Sequence, residues 1–149
     1  MLNRPTDGYR IQNEDRTTIV ALMRAGEPMA SGVHDVLPTA RFVHAHETTD
    51  LKEHHVKGQL TVVLVDAVIN SGKTVIEFCQ HVRKLHSTIQ VVLLTGVVQD
   101  QFLQPEKLSE QLGKLCVTNL VMLRKSETKF VGSGGTDTGN RSFNATYRA

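Results

Sequence analysis

Two apolar runs dominate the chain. Residues 60–68 (LTVVLVDAV) and 89–98 (IQVVLLTGVV) are Val-rich and almost unbroken, the pattern of strands covered on both faces rather than on one. A third run at 17–23 (TTIVALM) leads into Arg24-Ala25-Gly26, a fourth covers 40–45, and 119–123 (NLVML) predicts a further strand. Between these runs the period lengthens. Pro28 stands where a first helical residue belongs, and Met29, Val33, Val36 and Leu37 follow at helical spacing until Pro38 stops the segment. Val75, Cys79, Val82 and His86 repeat that spacing, with Arg83 and Lys84 near the C-terminal end, where the helix dipole favours cations. Leu108, Leu112, Leu115 and Cys116 do so a third time, after Pro105. Strands alternating with helices predict an α/β domain, a mostly parallel sheet of about five strands flanked by helices. No repeat or linker divides the sequence, so one domain is expected over 1–149, with 132–149 a Gly-rich C-terminal loop or tail.

Charge narrows the function. Seventeen Lys and Arg stand against fifteen Asp and Glu, a formal +2, and they are scattered rather than gathered on one segment. Aromatic residues make up 5% and Trp is absent, so the mix does not resemble the cationic arm of a nucleic-acid binder and aromatic stacking platforms are scarce. No apolar run approaches the roughly 18 residues of a membrane span, and Met1–Pro5 opens no signal peptide. Two cysteines, Cys79 and Cys116, both in helix-like stretches, fit a reducing compartment. A cytoplasmic domain with no nucleic-acid or membrane partner is the expectation.

The stretch 62–74 (VVLVDAVINSGKT) carries the clearest chemistry. A buried strand is expected to end on Asp66, a small-residue loop follows, and Ser71-Gly72-Lys73-Thr74 opens a helix. Free amides at such a helix N-terminus and its positive dipole suit a phosphate, with Ser71 and Thr74 hydroxyls and the Lys73 ammonium alongside. Gly72-Lys73-Thr74 matches the end of a P-loop, G-x-x-x-x-G-K-[ST], although the first Gly of that pattern is Ala67. A P-loop nucleotide binder is therefore one reading. Arg24 follows a strand and precedes Gly26, where open α/β sheets bind ligands. His44, His46, His54 and His55 assemble no familiar four-ligand zinc spacing, and no metal ligands are assigned. Cys79 falls on an apolar helix position, as a small core residue would.

Strand, acidic residue, small-residue loop and Thr resemble the diphosphoribose-binding segment of type I phosphoribosyltransferases. Two more segments make the chain similar to the uracil phosphoribosyltransferase family. Residues 21–29 (ALMRAGEPM) with Leu37-Pro38-Thr39-Ala40-Arg41 resemble its L-R-A-G-x-x-M and P-x-A-R segments, and 134–143 (GGTDTGNRSF) its C-terminal G-x-G-D-x-G-D loop. The resemblance implies a type I phosphoribosyltransferase fold and transfer of phosphoribosyl from magnesium-bound phosphoribosyl diphosphate (PRPP) to uracil, yielding UMP and pyrophosphate. It implies that Arg24, Asp66, Ala67, Val68, Ile69, Asn70, Ser71, Gly72, Lys73, Thr74 and Asp137 bind PRPP. Asn70 to Thr74 would donate to phosphate, and Val131, Thr136, Asp137 and Thr138 would bind uracil. Asp66 and Asp137 are the expected catalytic residues. The chain departs from the family at Thr136 (a Gly there), at Asn140 (an acidic residue), at Lys73 (a small residue), at 44–49 (an Arg) and in a shorter N-terminal portion. A PRPP-binding or regulatory domain without turnover is the alternative, with a homo-oligomer or a kinase-like partner domain as the expected associations.

Overall fold

Residues 11–104, 117–132 and 137–143 are described by the computed structural model. Thr17–Leu22 (β1) is buried at every position, as an unbroken apolar run requires when both of its faces are covered. It pairs in parallel with Arg41–Ala45 (β2) on one side and Thr61–Ile69 (β3) on the other. Gln90–Gln99 (β4) and Val117–Ser126 (β5) continue the sheet, all parallel, in the order β2-β1-β3-β4-β5.

That order means the chain steps outward from β1 to β2, returns past β1 to β3, and then proceeds the other way. Right-handed crossovers in opposite directions place their helices on opposite faces. Glu27–Val36 (α1) covers one face, where Ala30 packs with Ile19, Ala21, Val63 and Val65. Glu53–Val56 (α2) and Lys73–Leu85 (α3) cover the other, where Val75, Phe78, Cys79 and Val82 meet Val20, Leu64, Val91 and Leu93. The expected helical stripe of α3 is thus its buried face. His86 ends the helix as its cap rather than adding a turn.

The sheet departs from the sequence reading at two places. β3 does not stop at Asp66: Val68 and Ile69 still pair with Val97 and Val98 of β4. β5 runs past Leu123 to Ser126 and, at the sheet edge, leaves Leu123 82% exposed. The third helical pattern, after Pro105, lies outside the described residues.

Several histidines have structural partners. The Thr18 hydroxyl donates to the His55 carbonyl at 2.8 Å, and Arg41 donates to the carbonyls of His54 and His55 at 2.6 and 2.7 Å. His81 on α3 reaches the Leu51 carbonyl at 2.7 Å. These contacts join α2 and its neighbours to the sheet far from the strand ends that carry the site. Cys79 is fully buried, and burial pushes its thiol up to about 12, so it is an inert core group.

Candidate active site

In a doubly wound sheet with this strand order, the crevice opens between the carboxyl ends of β1 and β3, where the chain direction reverses. The loop after β1 forms one wall. Gly26 N–H bonds the Leu22 carbonyl at 2.9 Å, and a Cβ on Gly26 would stand 2.1 Å from the Val65 carbonyl oxygen. Only glycine lets α1 begin so close to β3. This tight turn carries Arg24, whose peptide bond to Met23 is cis. Arg24 donates to Asn140 Oδ1 at 2.9 Å and lies 3.7 Å from Asp137 Oδ1. Asp137 caps Thr138–Ser142 (α5) by accepting the Asn140 N–H at 2.9 Å. The C-terminal loop is therefore hooked to the loop after β1.

The opposite wall is the loop 70–72 between β3 and α3. Gly72 has φ +78°, and a Cβ there would fall 2.1 Å from the ring of Phe102, which is buried on Asp100–Leu103 (α4). Its carbonyl accepts from Ile76 N–H at 2.9 Å and so starts the α3 ladder. The first amides of this 13-residue helix have no preceding carbonyls to bond, and they point into the crevice end of the sheet with the positive end of the dipole.

Two adjoining cavities occupy the crevice. One, of about 250 Å³, is lined by Asp66, Val68, Ile69, Asn70, Ser71, Gly72, Lys73, Thr74, Val75 and Lys129. The other, of about 330 Å³, is lined by Ala25, Asp66, Val68, Asn70, Lys129, Phe130, Val131, Gly132, Asp137 and Thr138. Asp66, Val68, Asn70 and Lys129 belong to both. Burial raises the Asp66 carboxyl from 3.8 to about 6, offset in part by the amides of Val68 and Ala67.

The structure gathers most of the expected residues, with exceptions. Ala67 is buried and lines neither cavity. Arg24 stands beside the second cavity, held by the C-terminal loop. Thr136 lies outside the described residues. Asn70 is not free to give its whole amide to phosphate. Its Nδ2 donates to the Phe130 carbonyl at 2.8 Å, and its Oδ1 accepts from the Phe130 N–H at 3.0 Å. Ala25, Lys129 and Phe130 also line the cavities without having been assigned to the site from the sequence. Lys129, a cation just before the apolar pair Phe130-Val131, was the one signal available.

The P-loop reading does not fit this backbone. Residues 67–69, which would begin the phosphate-wrapping loop, are held in the strand, and only 70–72 separate it from α3. Among the described residues, no three His, Cys, Asp or Glu side chains form a group able to hold a metal ion. Among the described residues, Asp66 is the one acidic side chain common to both cavities.

No curated protein matches the sequence. The AQ2163 protein from Aquifex aeolicus is similar in structure, with a TM-score of 0.66 and 21% identity over 94% of this chain and 71% of that one. A putative pilus assembly-related protein from Burkholderia pseudomallei gives 0.51 and 8% over 77% and 83%. A purine phosphoribosyltransferase from Pyrococcus horikoshii gives 0.45 and 16% over 76% and 73%. At these identities the first two likenesses speak for the fold. Membership rests on sequence: the uracil phosphoribosyltransferase family model matches residues 1–145, and the chain belongs to that family.

Proposed function

We propose that this domain binds PRPP in the cavity at the α3 N-terminus and a pyrimidine base, uracil, in the adjoining one, and transfers the phosphoribosyl group between them. Two cavities that share a rim at the switch point carry this reading, because the reaction joins a phosphorylated sugar to a base at one carbon. The amides of α3, with Ser71, Thr74 and Lys73, take the 5′-phosphate. Asp66 accepts hydrogen bonds from the ribose hydroxyls. Arg24 meets the diphosphate after loosening its hold on Asn140, while Val131 and the 136–138 backbone take the base edge. Uracil N1 then bonds to C1′ as the C1′–oxygen bond to pyrophosphate breaks and the N1 proton passes to the departing pyrophosphate, giving UMP.

Among the described residues no ligand set for a resident ion is present, but Asp66 would face an ion that arrives on the diphosphate. Magnesium bound in this way neutralises the charge that develops on the leaving pyrophosphate. The protein's own work is to align the two reactants and exclude water, effects that together supply much of such a barrier reduction. A compartment containing free PRPP, such as the cytoplasm, is implied.

Calorimetric titration with Mg-PRPP, with Mg-ATP as comparator and uracil added second, tests the reading. Saturable PRPP binding, enhanced uracil binding on top of it and formation of UMP are expected. PRPP binding without UMP would leave a phosphoribosyl-ligand-binding domain. No PRPP binding by folded protein would remove the proposal.

A further inference from the structure

The hydrogen-bonded pair between Asn70 and Phe130 joins residues 60 apart in sequence. A side-chain amide that both donates to and accepts from the backbone of one residue fixes its distance and its orientation, as a short ladder of two strands would. Asn70 is the first residue after β3 and opens the loop to α3. Phe130 lies beyond β5, between Lys129, which lines both cavities, and Val131, which lines the second. Among the described residues, these two bonds are the hydrogen bonds that join 129–132 to the rest of the molecule.

We infer that Asn70 is a positioning residue that couples the two half-sites: it holds the base-side segment 129–132 to the phosphate loop, so that ordering the loop with PRPP also sets the segment that receives the base. The inference rests on the function proposed above and names how its two substrates affect each other. By linkage, whatever PRPP adds to base affinity the base adds to PRPP affinity, typically about 5–150-fold in coupled sites. Asn70 has a second amide hydrogen left over from the Phe130 bond, so it can keep a phosphate contact while clamping the segment.

Asn70→Ala tests this with two readouts. In free protein, the Phe130 amide should exchange hydrogen slowly in the wild type and much faster in the variant, with the β3 and β4 amides unchanged. In titrations, the variant should lose the enhancement of uracil binding by PRPP, its uracil affinity in the presence of PRPP falling about 10-fold more than its Mg-PRPP affinity. An equal loss for both substrates would make Asn70 a phosphate ligand and overturn the coupling. Unchanged Phe130 exchange would overturn the clamp itself. Wild-type protein that binds no Mg-PRPP, with the exchange effect still present, would remove the functional reading and the substrate coupling with it.

Discussion

Asp66 shows how one residue can set stability against function. Its carboxyl is raised to about 6 because burial removes water from the charge more than two amides restore. Between about pH 4 and 6 the folded chain holds a proton that the unfolded chain has released. This group's contribution is therefore present at low pH and lost as pH rises through 6. Above that, an ionised Asp66 is a cost on the order of 3 kcal/mol, from roughly two pKa units at about 1.4 kcal/mol each. A buried carboxyl with a raised pKa at the rim of a crevice is the pattern of a ligand-binding group, the role proposed for Asp66. Asp66→Asn should raise the urea midpoint at pH 7.5, flatten the stability profile between pH 4 and 6, and weaken Mg-PRPP binding at least 10-fold, the equivalent of about 1.4 kcal/mol. Denaturation at pH 4.5 and 7.5, paired with calorimetry, reads all three. A variant whose stability keeps the wild-type pH slope would show that another group titrates in this window.

Glycine at the start of α3 has the same logic at the scale of an element. Gly72 adopts φ +78° and lies against the ring of buried Phe102, so one position serves both the turn and the packing of α4. Gly72→Ala should cost about 2–4 kcal/mol, from a left-handed backbone with a Cβ plus overpacking of the ring. Gly72→Ala with Phe102→Leu should recover the packing part alone. Urea denaturation of the two variants separates the terms, and equal losses in both would assign the whole effect to the backbone. Elements of this kind were the legible part of the sequence. The unbroken Val-rich runs announced buried parallel strands, and Val75, Cys79 and Val82 marked the inner face of α3. Where β3 would end was not legible, because Asp66 reads as a terminus in sequence while the register to β4 carries the strand on to Ile69. Local pattern sees the polar residue and not the neighbouring strand that pairs beyond it. The same limit hid Lys129 and Phe130: their place at the site depends on a 60-residue contact to Asn70. Ser71 to Thr74 could be singled out from local chemistry, small and hydroxylic residues opening a helix, and Asp137 from the family resemblance, whereas whether Ala67 lines the crevice depends on the face of the strand on which it sits.

At the scale of the whole molecule, the site is assembled from distant parts of the chain: the loop after β1, the end of β3 and the segment after β5. Arg24 and Asn140 meet across 116 residues at 2.9 Å, so unfolding any part of the sheet disperses the crevice. A ligand that bridges these parts binds the native state and not the unfolded chain. Mg-PRPP at 100 times its Kd should then stabilise by about 2.7 kcal/mol, a rise in Tm of roughly 5–10 °C for a domain of this size. Arg24→Ala distinguishes the two uses of that cross-chain contact. The Arg24 and Asp137 side chains are 49% and 40% exposed, so in the unliganded protein their pairing is worth well under about 1 kcal/mol, and the variant's own Tm should fall by no more than a few degrees. If Arg24 leaves Asn140 to meet the diphosphate, the same variant should lose most of the PRPP-induced rise while keeping any response to inorganic phosphate, which needs only the α3 N-terminus. Thermal melts with Mg-PRPP and with phosphate alone read the difference. A full PRPP-induced shift in Arg24→Ala would make the arginine a hook for the C-terminal loop and place the diphosphate elsewhere in the crevice.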